Sequence, residues 1–458
     1  MKAFAGAAIL MLVITRGDVW AQQVPLTLDQ AVQQALNNYP AVRSSLEQVS
    51  AAAAGIRLAR TSYLPRADFL GQANRATHNN IFGMILSQPV ISPISGPVLG
   101  TNSLNSVWGS AVGLLVSWEP FDFGLRKAIV EVAKALRNQA DAQSNVTKLQ
   151  VGTAAADAFL TILAAQETVT AAKAAVDRGR VLNQTVETLA KNELRPGADA
   201  SRTRAELALA ETLLIRAEEA VEVARASLAQ LLGVAPQTIA VQAGPLLQLP
   251  VEPEVTGLSA ANHPQAVAQN LVIEEVKSRE RTLDRSYFPR FYLQGTSYAR
   301  GTGAHPDGTT DGGVNGLGPN IQNWAVGMTV TFPFFDFASI RARKEIELHN
   351  ERVETARYDQ ALQDLNGQME KARATLAATR RVAQNTPIQL EAARATEQQA
   401  SARYRAGLGN IVEVAEAERI LAQAEIDDAL AKLDIWRALL AVAAAQGDLQ
   451  PFLQRVLK

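Results

Sequence analysis

The longest hydrophobic pattern in the chain is helical. From Gly124 to Glu193 there is no proline and, after Gly124, only two glycines, while alanine, leucine, glutamate, lysine and arginine dominate. Apolar positions recur at helical spacing through Val132, Leu136, Phe159, Leu163, Val181, Leu182, Val186 and Leu189. The pattern predicts a helix over 124–193, roughly 100 Å long at about 1.5 Å per residue. Pro196-Gly197 marks a turn. A second helix is predicted over 200–232, ending at Gly233. A helix of that length exceeds what a compact core needs, and it is too charged for lipid. It reads as a helix in water, packed on others through alanine-rich seams, as in a coiled coil or a tube of helices.

Other stretches alternate with period two. Val112, Leu114, Val116 and Trp118 fall on one face, with Ala111, Gly113 and Ser117 on the other and Leu115 as the exception. This predicts a strand at about 110–118 that ends at Glu119-Pro120. A shorter strand is expected at about 66–75. Between them, Thr77 to Val107 is rich in Asn, Ser, Pro and Gly and reads as a long loop. Upstream, Thr27-Leu28-Asp29-Gln30 fits a capping box, opening a helix interrupted at Tyr39-Pro40 and resumed from Ala41 to Tyr63. Downstream, 233–253 is broken by five helix-breaking residues after Gly233, namely Pro236, Gly244, Pro245, Pro250 and Pro253. It reads as an irregular connector with one short strand near Ile239 to Val241.

The chain then repeats itself. Ser62-Tyr63-Leu64-Pro65-Arg66 returns as Ser286-Tyr287-Phe288-Pro289-Arg290, and Phe121-Asp122-Phe123 as Phe335-Asp336-Phe337. The face Val112/Leu114/Val116/Trp118 returns as Val326, Met328, Val330 and Phe332. The turn at Gly197 is matched to Tyr404-Arg405-Ala406-Gly407-Leu408-Gly409. The offset is 224 at the prolines, 214 at Phe-Asp-Phe and 210 at the turn, so a shorter loop (Gly301 to Asn323) and a shorter second helix are expected. The second half is predicted to hold strands at about 290–300 and 324–332 and helices over 338–405 and 410–446, with Pro387 kinking or breaking the first of these. The ordered matches define two repeats, 22–250 and 251–447, followed by a tail, 448–458.

Composition narrows the setting. Lys+Arg 44 against Asp+Glu 45 leaves no basic footprint for nucleic acid. There is no cysteine, which excludes disulfides, thiolate metal sites and a lipidated N-terminal cysteine. Lys2, an apolar Ala3 to Ile14 and Val19-Trp20-Ala21 read as a signal peptide over 1–21. The four histidines lie in no metal spacing, and no nucleophile elbow or phosphate loop occurs. No cofactor and no catalysis are expected. Asp307 and Asp311 lie among glycines but lack calcium-loop spacing.

With one apolar and one small or polar face, the strands fit membrane-barrel strands, but taken alone they fit a half-buried sheet of a soluble protein better; the long polar loops on one side and the over-long helices on the other favour the barrel. Four strands leave two open edges, which lipid does not tolerate, and a closed barrel needs about eight strands or more. Several chains must therefore share one barrel, and three would supply about twelve strands. The competing reading is an exported coiled-coil scaffold with no transport role.

The duplicated layout, the Tyr-x-Pro-Arg strand entries, the Phe-Asp-Phe exits and the glycine turns resemble the outer membrane efflux protein family (TolC-like) over essentially the whole mature chain. The resemblance implies a mostly α fold with membrane β structure: a homotrimer with one β-barrel in outer-membrane lipid, continued by an α-helical tunnel through the periplasm. It implies passive export as the duct of a tripartite efflux or type I secretion system, with a periplasmic adaptor (membrane fusion) protein and an inner-membrane pump of RND or ABC type. The lipid-facing positions would be Val112, Leu114, Val116, Trp118, Val326, Met328, Val330 and Phe332. The adaptor would meet Gly197, Ala198, Gly407 and Leu408. Glu413 and Glu416 would form the gate ring, with Tyr404 and Arg405 in the contacts holding the tip closed. Arg202 and Thr203 stand in the first turn where some relatives carry an acidic residue, which argues against a gate contact from that turn. On residues alone, Glu413 and Glu416 also fit a solvated helix face, with Glu416 paired to Arg419.

Overall fold

A computed structural model describes residues 25–79, 85–86, 89–91, 99–100, 102–250 and 259–457. The signal-peptide stretch 1–21 lies outside the described residues, as do 251–258 of the connector and much of 80–98. In chain order the elements are α1 (Leu28–Asn38), α2 (Pro40–Thr61), β1 (Arg66–Thr77), β2 (Ser106–Phe121), α3 (Leu125–Lys191), α4 (Gly197–Leu232), α5 (Pro264–Arg285), β3 (Arg290–Thr302), β4 (Ile321–Thr331), α6 (Phe337–Arg405), α7 (Ile411–Gln446) and α8 (Gln450–Val456). The chain divides into two compact units, each drawing on both repeats.

One unit is helical. It holds α1, the later parts of α3 and α6, and α4, α7 and α8. Thr27 caps α1 through the expected reciprocal bonds, Gln30 N–H to Thr27 Oγ1 at 3.3 Å and Thr27 N–H to Gln30 Oε1 at 3.0 Å. The core is built on Phe159, Leu160, Leu228, Leu433 and Trp436 with many buried alanines, whose small side chains let helix backbones approach closely. Helix α8, in the stretch read as a tail, inserts Phe452 against Trp436 with ring centroids 6.3 Å apart.

Neither of two prolines ends its element. Pro387 lies inside α6 without ending it. The turns on either side are tied to α7, where Asp428 Oδ1 accepts from Thr386 Oγ1 at 3.1 Å and Asp427 Oδ2 from Gln389 Nε2 at 3.2 Å. That packing, with buried Ala383 and Ala393, holds the helix across one missing backbone bond. Strand β2 likewise runs through Pro120 to Phe121. The register to β3 shifts between Trp118 and Phe121, so Pro120 falls where no ladder N–H is required. The connector after Gly233 forms two short 3-10 turns, Pro236–Thr238 and Gly244–Leu247. In place of the expected strand near Ile239 to Val241 there is one isolated bridge, Leu26 to Val241.

The other unit carries the sheet, antiparallel in the order β1-β2-β3-β4. Both loops, β1–β2 and β3–β4, leave one end of the sheet, and the chain turns to or from helices at the other. At the helix end of β2, Asp122 and Arg126 are buried together. Asp122 accepts from the Arg126 backbone at 2.7 Å, its Nε at 2.8 Å and the Gly124 N–H at 3.0 Å. The Arg126 guanidinium lies 4.8 Å from the Tyr63 ring centroid. The second repeat places Ile340 at the position of Arg126, by the 214-residue offset of Phe-Asp-Phe, and leaves Phe334 and Phe335 exposed.

The repeat is more regular than the turn motif suggested. Helix α3 ends at Lys191 and α6 at Arg405; α4 spans Gly197–Leu232 and α7 Ile411–Gln446. Each boundary pair (191 and 405, 197 and 411, 232 and 446) is 214 apart, so the hairpins keep the offset of Phe-Asp-Phe. The match of Gly197 to Gly407, and the shortening of the second helix inferred from it, are corrected: the counterpart of Gly407 is Glu193.

Candidate functional site

The connections 192–196 and 406–410 close the two helical hairpins, and they share one geometry. Leu194 N–H donates to Leu189 O, and Leu408 N–H to Arg403 O, both at 2.9 Å. Glu193 N–H donates to Ala190 O and Gly407 N–H to Tyr404 O, both at 3.1 Å. The left-handed position is Gly407 in one turn (φ 78°) and Glu193 in the other (φ 63°). Gly197, the glycine that marks the first turn in the sequence, instead opens α4 behind Pro196. Ala198 and Leu408 are exposed.

The two turns meet at Tyr404. Its ring is buried, its hydroxyl donates to Asp199 Oδ2 at 3.2 Å, and its carbonyl accepts from Arg195 Nη2. The Arg195 guanidinium lies 4.5 Å from the ring centroid, a cation–π contact. The first turn thus supplies a carboxylate and a cation to the second. The acidic residue sits at Asp199, in the first turn of α4. Burial raises the Tyr404 phenol above its usual pKa, and Asp199 adds to this more than Arg195 opposes it.

Beneath the clasp, Val186, Ala400, Ile411, Val414 and Ala417 pack around Tyr404. Burial of Val414 and Ala417 leaves Glu413 and Glu416 on the exposed side of α7. Glu413 completes the α7 cap: its N–H donates to Asn410 Oδ1 at 2.9 Å, and Asn410 Nδ2 donates back to Glu413 Oε1 at 3.2 Å. Glu416 forms the expected ion pair with Arg419. Arg405 is exposed and has no hydrogen bond or ion pair among the described residues.

Further along the hairpins, Arg178 of α3 binds two carboxylates of α7. Its Nε lies 2.9 Å from Glu418 Oε2 and its Nη2 lies 3.0 Å from Glu425 Oε2. Burial disfavours charge on Arg178, but the two carboxylates more than offset it and raise its pKa. For Glu418, burial is the larger effect and holds the carboxyl above its usual range, with Arg178 offsetting only part. Burial sets the direction at Glu418, and the two carboxylates set it at Arg178. The sequence pattern did not single out this trio, because Arg178 lies 240 and 247 residues from its two carboxylates and each of the three resembles a solvated helix charge.

In the sheet, the registers Phe69–Leu114–Ser297–Trp324 and Trp118–Leu293–Met328 align the two apolar faces of the repeats on one side. Leu114, Val116, Trp118, Val326, Met328, Val330 and Phe332 are all exposed there, Val326 at 71%, and Val112 is half-buried. Phe69, Leu293 and Trp324 extend this face and had not been singled out. The opposite face carries Asp68, Gln72, Gly113, Ser117, Gln294, Thr296, Asn323, Gly327 and Thr329, mostly small or polar. Among the described residues, neither β1 nor β4 has a partner on its outer edge. Among the described residues, no helix is long and apolar enough to cross a membrane, and no acidic or histidine cluster is arranged to hold a metal ion.

A sheet with an apolar outer face, joined to paired long helices closed by clasped turns, defines the fold of outer-membrane channels. Solved structures agree. The outer-membrane channel OprN is 22% identical, with 92% of this chain and 89% of that one covered and a TM-score of 0.71. VceC from Vibrio cholerae is 18% identical over 92% and 96% of the two chains, with a TM-score of 0.72. The open state of the Neisseria gonorrhoeae MtrE channel is 19% identical over 92% and 89%, also with a TM-score of 0.72. No curated protein gives a significant sequence match. The family model described as outer membrane efflux protein matches residues 31–234 and 257–448. The chain belongs to the outer membrane efflux protein family. It is an outer-membrane channel that extends into the periplasm, an exit duct of the tripartite type, in a family of channels rather than enzymes.

Proposed function

We propose that three copies close one barrel through β1 and β4, and that the tunnel of each trimer ends at the clasped hairpin turns, where a periplasmic adaptor docks and opens it. The observation that carries this reading is the four-stranded sheet with one apolar exposed face and two unpaired edges. Such a sheet meets lipid only when its edges are paired, and pairing β4 of one copy with β1 of the next closes about twelve strands. Transport is passive, with no catalytic step and no cofactor; the pump beyond the adaptor, of RND or ABC type, supplies direction. Recovery from the outer membrane as a heat-modifiable, detergent-soluble trimer is the expected result. A soluble periplasmic monomer would overturn the reading.

At the mouth of the tunnel, Glu413 and Glu416 stand on the exposed side of α7, so three copies bring six carboxylates to one ring. A ring of that charge favours cations over anions and binds multivalent cations that block flow. In planar bilayers, Glu413→Ala with Glu416→Ala is expected to weaken both cation preference and block by a trivalent cation. Unchanged currents would return these residues to an ordinary solvated face. Tyr404 acts as the clasp that holds the mouth closed, with Arg195 and Asp199 beside it, and Arg405 stays available to a neighbouring copy.

The exposed tips at Gly197, Ala198, Gly407 and Leu408 are the docking points for the adaptor. Ala198→Trp or Leu408→Trp is expected to abolish export while the trimer stays folded, because neither side chain packs inside its own chain. Normal export by both variants, measured with the trimer quantified on gels, would place docking elsewhere.

A further inference from the structure

The duplication that built the sheet also bears on how its open edges pair. Within each repeat the register is the same. Arg66 lies opposite Ser117 in the first repeat and Arg290 opposite Thr331 in the second, so the pairing carries over by 224 on β1 and β3 and by 214 on β2 and β4. The junction of β2 with β3 is where the chain itself shows how one repeat meets the next. There Trp118 lies opposite Leu293, Val116 opposite Gly295, Leu114 opposite Ser297 and Ala111 opposite Arg300. Past the register shift Phe121 lies opposite Phe291, with ring centroids 6.2 Å apart, and Phe123 stacks on Phe288 at 5.4 Å.

Carried forward by the same two offsets, that junction gives a register for β4 of one copy against β1 of the next. Phe332 falls opposite Phe69, Val330 opposite Gly71, Met328 opposite Ala73, Thr329 opposite Gln72 and Ala325 opposite Ala76. The apolar face continues across the edge, and Phe332 and Phe69, both exposed, come together as an aromatic pair. A slip of one residue would turn the apolar set of one strand to the wrong face. Beyond the strands, Phe335 and Phe337 fall against Ala67 and Leu64, the counterparts of Phe291 and Phe288. Phe335 is 92% exposed and Leu64 65%, so neither is packed inside its own chain. The two sides are matched in size: the first-repeat entry is smaller, and the second-repeat exit is larger, with Phe334 in place of Pro120. The ion pair of the internal junction has no counterpart. Arg290 binds Glu119 at 2.8 and 3.0 Å, whereas Pro333 stands in place of Glu119, and Arg66 pairs at 3.1 Å with Asp68 of its own strand.

We propose that β4 of each copy joins β1 of the next in this register, and that the exposed patch at Phe334, Phe335 and Phe337 is covered by Leu64 and Ala67 of that second copy, as an apolar seam at the helix end of the barrel. The proposal rests on the shared-barrel reading above and names the residues that meet in it. The junction inside the chain is tied by an ion pair, and the seam between copies is tied by aromatic side chains on aliphatic ones.

The chain has no native cysteine to interfere with cross-linking. Within one chain β2 and β3 separate β1 from β4, so a disulfide between those edges joins two copies. Residues directly opposed across a strand pair hold their Cβ atoms about 4.5–5.5 Å apart and diagonal ones about 7–8 Å, against about 3.5–4.5 Å in a disulfide. Oxidised outer membranes carrying Ala325→Cys with Ala76→Cys, or Thr329→Cys with Gln72→Cys, are expected to yield a covalent trimer on denaturing gels. Asn74→Cys combined with either Ala325→Cys or Thr329→Cys tests a slip of two residues in each direction, and both combinations are expected to leave the trimer unlinked. Phe335→Cys with Ala67→Cys is expected to link the seam. Two opposed strand pairs are used so that poor assembly of one leaves the other to decide. Links through Asn74→Cys in preference to the opposed pairs, or no link in an intact trimer, overturn the register. Linked strands with no link between positions 335 and 67 give the aromatic patch to lipid and overturn the seam. Recovery of the unaltered protein from the outer membrane only as a monomer overturns the shared barrel itself, a different result from a wrong register.

Discussion

Arginine at Val116 together with Val330 is expected to abolish the membrane-inserted trimer. Both side chains stand on the apolar face of the sheet, one from each repeat, and both are exposed. A charge on the lipid face of a barrel costs about 2–4 kcal/mol near the bilayer midplane and less toward its edges, so Val116, well inside β2, carries more of the cost than Val330, next to the last residue of β4. Two substitutions in three copies place six such charges in one barrel, more than the marginal stability of a folded chain absorbs. The control is Thr329→Arg. It differs from Val330 by one residue and therefore faces the other side of the sheet. Outer-membrane fractionation and unheated gels read the outcome. Loss of the trimer in Val116→Arg/Val330→Arg with retention in Thr329→Arg is the expected pair of results. Normal assembly of the double variant would mean that this face does not meet lipid.

That contrast also shows what the sequence makes legible. Period-two alternation on 112–118 and 326–332 gave the strands and their faces, because a one-sided environment imposes its pattern on every residue of a strand. The long helices were legible from uninterrupted helix formers, and the repeat from motifs whose order chance does not supply. Pro120 misled because a proline's effect depends on its partners: it sits at a register shift, where β2 runs on through it. The turn match failed for a related reason. A glycine marks a left-handed turn only by preference, and Glu193 adopts that conformation while Gly197, the glycine that marks the first turn, opens α4. The clasp of Arg195 and Asp199 on Tyr404 joins residues more than 200 positions apart, beyond the reach of spacing rules.

The same blindness to distant partners hid Arg178, whose loss is expected to be the largest single-site effect in the helical unit. Its guanidinium joins α3 to α7 through Glu418 and Glu425, and all three side chains are mostly buried. Removing the cation leaves two carboxylates side by side with no counter-charge. Breaking a buried charge set in this way costs about 3–5 kcal/mol, and partial solvent access here brings the expectation to about 2–3 kcal/mol for Arg178→Ala. The loss should depend on pH, and the sign follows from Glu418. Its folded-state pKa already lies above the ordinary value because of burial. A carboxyl raised in the folded state adds stability below its unfolded pKa and loses that contribution as pH rises through the folded value. Without Arg178 the folded value rises further, so the variant is most impaired at neutral pH and recovers toward wild type as pH falls through that raised value. Arg178→Met, which keeps the stem that fills the seam, should show the same pH dependence with a smaller deficit at every pH. Thermal unfolding of the detergent-solubilised protein in neutral and mildly acidic buffer measures both. A deficit that is equal at the two pH values would assign the loss to packing and remove the charge link between α3 and α7 from the account.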